Sequence, residues 1–129
     1  MTRKLGALEL QKAVFLALRK GMPAIPVYDS VPDSGAFPYV VIGDDSLLDF
    51  STKTGAGIEA AALVQVFSRA LGYSEAKTIA GQVVGALASA SLNVTGFRVV
   101  SIDLDGMESF RDGEDRRVVV RFKLKLQEI

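Results

Sequence analysis

The chain contains no cysteine and no histidine. The absence of cysteine excludes disulfide bonds and thiolate nucleophiles. The absence of histidine excludes an imidazole general base, a catalytic triad built on histidine and the usual zinc site. Only carboxylates, lysines, tyrosines and hydroxyl groups remain for catalysis. No arrangement of them in the sequence indicates an enzyme, and no metal or cofactor is predicted.

Neither sign of charge predominates, and long apolar runs are also missing. The 15 basic and 15 acidic residues give a formal net charge of zero, so no overall field attracts nucleic acid or acidic membranes. No apolar run approaches the roughly 20 residues needed to span a bilayer. The opening residues, MTRKLGALELQ, lack the features of a secretory signal. We therefore expect a soluble protein made in the cytoplasm, with no membrane partner.

The length and the hydrophobic content indicate one packed domain. The chain has 129 residues, of which 49% are hydrophobic, and its mean hydropathy is +0.28. Such a composition is too apolar for a disordered chain, and the length is near the common size of a single domain. No repeat or linker divides the sequence, so residues 1–129 are predicted to form one domain.

Helical periodicity predicts two helices. Apolar residues recur at helical spacing over Leu8–Lys20, and Gly21 is predicted to end this helix. Leu16 interrupts its polar side, either as an isolated exposed leucine or as a contact with a partner. The clearest helical pattern in the chain begins at Ser74, which we interpret as the N-cap.

The remaining segments are predicted to be strands. PVYDSV suits only a short edge strand because prolines surround it. PYVVIGDDSLLDF and IEAAALVQVFSRA are typical of a hairpin around the loop STKTGAG. EAAAL is compatible with a helix by propensity, but the β-rich residues 63–67 between two glycines favour a strand. Phe97–Phe110 and Arg117–Gln127 form a second predicted hairpin, joined by RDGEDR.

The terminal hairpin indicates how the sheet is covered. Its second strand alternates apolar and charged residues, as expected when one face of the sheet is buried and the other is exposed to solvent. We align Leu104 with Leu124. This register places Asp103 opposite Lys125 and Asp105 opposite Lys123. The order helix–strands–helix–strands then predicts an α+β fold, with two helices packed on one face of a mainly antiparallel sheet.

Two adjacent carboxylates follow the first long strand. Asp44 and Asp45 point to opposite faces of a regular strand, unless a bulge at Gly43 turns the chain. Two carboxylates are too few for calcium, which takes roughly 6–8 oxygen ligands. We interpret the pair as a solvated strand end or a contact with a partner. The aspartates at positions 103 and 105 share a face, but their predicted lysine partners make a metal site there unfavourable.

A basic stripe on the last strand suggests an alternative function. It consists of Arg117, Arg121, Lys123 and Lys125. Such a stripe can follow a phosphate backbone, which makes a nucleic-acid-binding or regulatory module the alternative hypothesis. Acidic residues opposite the stripe nearly cancel its charge, and no aromatic residues interleave with it. An outer sheet face with paired charges is therefore favoured.

Three segments together resemble a known protein family. FPYVVIGDDSLLDFSTKTGAG, VFSRALGYSEAKTIAGQVVGAL and DGMESFRDGEDRRVVVRFKLKLQE follow one another in the order and spacing of the small tail completion proteins of long-tailed bacteriophages. These are tail-terminator-like, head–tail joining proteins that also occur in prophages and gene transfer agents. LELQKAVFLAL and PVYDSVP fit the same pattern, so the resemblance covers nearly the whole chain.

The resemblance implies a structural role without catalysis. Proteins of this kind form rings, usually hexamers, which cap the tail tube and join it to the head connector, or stopper protein. The resemblance therefore implies copies of this chain, the tail tube protein and the connector as partners, and DNA passing the lumen without specific binding. It implies a place at the head–tail junction of the virion, after assembly in the host bacterial cytoplasm.

Two charged segments are the predicted contacts with these partners. One includes the strand end and the loop after it, and the other is the tip of the terminal hairpin. The candidate interface residues are Asp44, Asp45, Asp49, Phe50, Lys53, Arg111, Asp112, Glu114, Arg116 and Arg117.

Overall fold

The computed structural model describes residues 7–49 and 57–129, and only the backbone of residues 44–49. Two helices and five strands follow one another along the chain. They are α1 (Ala7–Gly21), β1 (Val27–Tyr28), β2 (Tyr39–Asp49), β3 (Gly57–Ser68), α2 (Ser74–Ser89), β4 (Phe97–Asp112) and β5 (Asp115–Glu128). The predicted α+β class is confirmed, and the alanine-rich segment is a strand.

The strands form one sheet in the order β1-β2-β3-β5-β4. β1 runs parallel to β2, and the other neighbours are antiparallel. Both predicted hairpins are present, β2–β3 and β4–β5. The long, exposed β4 is an edge strand, because among the described residues it pairs with β5 only.

The core lies between the two helices and one face of the sheet. Alternate residues of β3 and β5 are buried, as the period-2 side-chain pattern of a half-covered strand requires. Leu10 and Leu18 from α1 and Leu87 from α2 are almost fully buried against this face. The opposite face of the sheet carries no helix among the residues that the structure describes.

The two helices approach each other closely at the end of α1. A Cβ atom added at Gly21 would lie 2.6 Å from the Cβ of Ala86. Carbon atoms pack favourably at roughly 3.5–4.0 Å, so only glycine permits this contact without a shift of one helix. Gly21 therefore ends the first helix, as predicted, and also fixes its distance from α2.

The start of α2 corrects one prediction. Ser74 is the first helical residue, whereas the N-cap is Tyr73, which has no side-chain capping hydrogen bond. The carbonyl of Tyr73 accepts the first hydrogen bond from the amide of Lys77, at 2.8 Å. The fully buried hydroxyl of Ser68 instead anchors this end of the helix, because it donates to Glu75 Oε1 at 2.7 Å.

The predicted register of the terminal hairpin is wrong by two residues near its middle. Leu104 pairs with Phe122, and Asp103 pairs with Lys123 instead of Lys125. Register shifts lie between residues 99 and 101 and between residues 104 and 106. They place Asp105 in a bulge without a directly paired residue. A shift of two residues preserves the face on which each side chain lies, so the assignment of buried and wet faces is unaffected.

Candidate assembly surfaces

The tip of the β4–β5 hairpin brings one group of predicted residues together. The two-residue turn is Gly113–Glu114, and Gly113 has a φ of +61°, a conformation that glycine adopts without strain. Beside the turn, Asp112 pairs with Asp115 and Arg111 with Arg116. Like charges thus face each other twice at the tip.

Diagonal ion pairs compensate for these like-charge pairs. Arg117 Nε donates to Asp112 Oδ2 at 3.0 Å, and Arg69 Nε donates to Asp115 Oδ1 at 2.7 Å. The hydrogen bond to Asp115 raises the pKa of Arg69 above its ordinary value. The interaction ties the hairpin tip to the end of β3, which fixes the position of the tip.

Arg116 is held against the turn itself. Its Nη1 donates to the carbonyl oxygens of Gly113 and Glu114, at 3.4 and 3.3 Å. Its Nε is buried without a hydrogen-bond partner among the described side chains and backbone. Glu114 at the turn is exposed. The tip therefore presents charged groups on a preorganised backbone.

An aromatic and arginine row next to the tip was not predicted from the sequence. Tyr39 stacks on Phe67 with ring centroids 5.2 Å apart, and Phe67 pairs with Arg117. The guanidinium of Arg117 lies 4.6 Å from the ring centroid of Phe110. The row crosses β2, β3, β5 and β4 on the face without helices. Each residue is unremarkable in its own strand, so only knowledge of the register could have revealed the row.

The basic stripe of β5 is largely neutralised by acidic neighbours. Besides the Arg117–Asp112 pair, Lys123 Nζ lies 2.9 Å from Glu59 Oε1, and this contact raises the pKa of Lys123 above its ordinary value. Arg121 Nη1 lies 4.0 Å from Glu108 Oε1. These pairs reduce the positive charge available to a phosphate backbone, which weakens the case for nucleic-acid binding.

The other predicted residues lie along β2 and beyond it. The register shift between Gly43 and Ser46 places Asp44 and Asp45 in a bulge, which is the alternative to a regular strand that the sequence left open. Asp49 ends β2 and pairs with Ile58. Phe50 and Lys53 lie outside the residues that the structure describes.

The predicted residues therefore belong to two separate regions. Tyr39, Phe67 and Arg117 pair at the end of the sheet beside the hairpin tip. The pairs of Asp49 with Ile58 and of Ile58 with Leu126 lie at the opposite end. The structure does not bring the two predicted segments together.

Among the side chains that the structure describes, in residues 7–43 and 57–129, no group of three or more acidic residues is arranged to hold a metal ion. No helix in these ranges is long and apolar enough to cross a membrane.

The described residues form an α+β fold in which two helices cover one face of a five-stranded sheet. Residues 10–127 match the family described as Tail completion protein gp17, and the chain belongs to this family. It is 33% identical over 105 residues to the Tail completion protein gp17 of Bacillus phage SPP1, an alignment that covers 78% of each protein.

A solved structure extends the comparison to an assembled particle. The chain is similar to one from the virion of a native gene transfer agent particle, with a TM-score of 0.84 and 28% identity. The match covers 97% of this chain and 99% of the other. The family and this similarity together give the chain a structural role in a phage-type tail.

Proposed function

We propose that the chain is a structural protein without catalytic activity, which forms a ring of identical copies, a hexamer. The ring caps the completed tail tube and joins it to the head connector. The observation that carries the proposal is the similarity over 97% of the chain to a component of a gene transfer agent virion. The mature location is then the head–tail junction, after assembly in the host bacterial cytoplasm.

The separation of the two charged regions supports contact with two different partners. Copies in a ring all have the same orientation, so one end of every sheet faces one side of the ring. The hairpin tip with Arg111, Asp112 and Glu114 would contact one partner. The region from Asp44 onward, which includes Asp49, Phe50 and Lys53, would contact the other. The tail tube protein and the connector are the two partners that a head–tail joint requires.

The balanced charges of the open sheet face are compatible with a channel for DNA. Glu59 and Glu108 each neutralise a basic residue of β5. A surface with paired charges releases few counterions from DNA and therefore binds it weakly. We propose that this face lines or flanks the lumen, through which DNA passes without specific binding.

Deletion of the gene tests the proposal. Electron microscopy of particles from the deletion strain should show heads and tails that are not joined, with tails of abnormal length. A plasmid copy of the gene should restore joined particles that contain the protein. Joined particles with tails of normal length in the deletion strain would contradict the proposal.

Exchange of charges at the hairpin tip tests the assignment of that surface. The double variant Arg111→Glu with Glu114→Lys keeps the net charge and alters exposed side chains only. It should fold normally and give mostly unjoined particles. Gln82→Glu, on the exposed side of α2, is the matched control and should give joined particles. If the tip variant yields as many joined particles as the control, the tip does not contact a partner.

A further inference from the structure

Two opposite edges of the domain carry exposed apolar side chains. α1 contacts β1, β2 and α2, whereas α2 contacts β3, β5 and β4. Since β1 and β4 are the outermost strands, α1 lies toward one edge of the sheet and β4 forms the other.

The outward face of α1 is apolar and basic. Leu8, Lys12, Leu16 and Arg19 share this face, because they are three or four residues apart in sequence. Leu8 and Leu16 are 56% and 63% exposed. Beside Leu16, an open groove of about 550 Å³ between the helices is lined mostly by small side chains. The outward face of α1 therefore combines two exposed leucines with positive charge, and at Leu16 it borders the recess between the helices.

The β4 edge is apolar and acidic. Residues 99–110, VVSIDLDGMESF, contain three acidic residues and no basic one. Leu104 and Met107 pair with the buried Phe122 and Val120, so they lie on the helix side of the sheet. They are nevertheless 50% and 43% exposed. The edge strand also has backbone groups available for a partner.

We propose that the outward face of α1 in one copy docks against residues 99–110 of β4 in the next copy. The inference rests on the proposed ring and names the contact between its neighbours. Two different surfaces on opposite edges make a head-to-tail contact, which closes into a ring when the rotation allows. Asp103 pairs with Lys123 and Glu108 lies near Arg121, so Asp105, in the bulge without a directly paired residue, is the acidic group best placed to attract the basic helix face. A contact between two α1 faces would instead bring like charges together.

The surface of the chain is large enough for such contacts. A standard interface buries roughly 800 Å² per partner, which is about a tenth of the 7540 Å² surface of the chain. Two opposite edges can therefore each supply one interface. Leu104 and Met107 of one copy would enter the groove beside Leu16 of its neighbour.

Charge reversal tests the contact in a particle-producing strain that lacks the natural gene. Lys12→Glu with Arg19→Glu makes the helix face acidic, and Asp105→Lys with Glu108→Lys makes the strand edge basic. Each double variant places like charges across every contact and should lower the yield of joined particles at least about tenfold. The four substitutions together in one chain restore opposite charges and should recover most of the yield. All four residues are exposed, so thermal unfolding should change little.

Cross-linking provides a second, direct test, because the natural chain has no cysteine. Leu16→Cys with Met107→Cys in one chain, treated with a short bis-maleimide in purified particles, should give a ladder of covalent multimers. Each single cysteine variant should remain monomeric, since a head-to-tail contact separates identical positions. Gln82→Cys with Met107→Cys is the control and should give no ladder.

The outcomes separate this inference from the proposed function. Particles that contain and require the wild-type protein but show no ladder for the Leu16–Met107 pair would overturn the contact and leave the ring possible. Failure of the fourfold variant to recover, or normal yield from either double variant, would also overturn it. If the wild-type protein is absent from the particles, the proposed function is wrong, and the proposed contact between α1 and β4 is then wrong as well.

Discussion

The close approach of the two helices predicts opposite effects for the same substitution at two glycines. In Gly21→Ala, the new methyl carbon would lie 2.6 Å from the Cβ of Ala86, about 1 Å closer than a favourable carbon contact. Overpacking of this kind typically costs about 1–3 kcal/mol. A gain of up to about 1 kcal/mol in helix propensity offsets part of that cost. We expect Gly21→Ala to lower the free energy of unfolding by about 1–2 kcal/mol.

Gly81→Ala is the matched control. A Cβ at Gly81 would have no other atom within 4 Å, so the substitution should raise the free energy of unfolding by about 0.5–1 kcal/mol. The entropy of unfolding is about 2.1 cal/mol/K per residue, or about 270 cal/mol/K for the 129 residues. A change of 1 kcal/mol therefore shifts Tm by about 4 °C. Gly21→Ala should melt about 4–8 °C below wild type, and Gly81→Ala about 2–4 °C above it.

The double variant Gly21→Ala with Ala86→Gly tests the cause of the loss. It moves the methyl group from one helix to the other and removes the 2.6 Å contact, so that the nearest atom becomes the Cα of residue 86 at 3.3 Å. Urea unfolding of the wild type, Gly21→Ala, Ala86→Gly and the double variant should give a favourable coupling free energy of about 1–2 kcal/mol between the two positions. If Gly21→Ala is as stable as Gly81→Ala, or the coupling is near zero, the argument from helix spacing is wrong.

Three further predictions concern side chains of the sheet. Ser68→Ala should lower the free energy of unfolding, measured in urea titrations, by about 1–3 kcal/mol. The substitution removes the hydrogen bond that Ser68 donates to Glu75 and the one that it accepts from the amide of Ala70. An unchanged free energy of unfolding would show that these hydrogen bonds do not anchor α2. Glu59 raises the pKa of Lys123 in the folded state. The stabilisation from this ion pair is therefore fully present below the pKa of lysine in the unfolded chain, roughly 10.4. It is lost as the pH rises through the higher pKa of Lys123 in the folded protein. The difference in unfolding free energy between wild type and Glu59→Gln should therefore narrow above that pH, and a constant difference would refute the assignment. In a fluorescence titration against duplex DNA, binding should be weak or undetectable even at low salt; tight binding with a steep salt dependence would favour the nucleic-acid hypothesis.

The sequence predicts the elements well because their patterns are local. Helical spacing defines α1 and α2 to within about a residue, and alternation identifies the buried face of β5. The fold class follows from the order of these elements. The bulge at Asp44 and Asp45 remained an open alternative in the sequence, because Gly43 permits a bulge but does not require one.

The parts that the sequence does not predict depend on contacts between distant residues. Bulges in β4 cannot be read from one strand, and each changes the register of everything beyond it, which is why Asp103 was placed opposite the wrong lysine. The cap of α2 was misassigned because the buried Ser68, from another element, anchors that end of the helix. The row of Tyr39, Phe67, Arg117 and Phe110 requires the register of four strands at once.

The distance between the hairpin tip and the far end of β2 has a consequence for engineering. β2 has 11 residues, and at about 3.3 Å per residue its first and last residues lie roughly 33 Å apart, or slightly less because of the bulge at Asp44 and Asp45. Changes at one end should be energetically independent of changes at the other, because additivity holds beyond about 10 Å when no partner is shared. If each end meets its own partner, a chimera that carries the hairpin tip of a relative should exchange one partner and retain the other. The sheet would then serve as an adaptor whose two specificities can diverge separately.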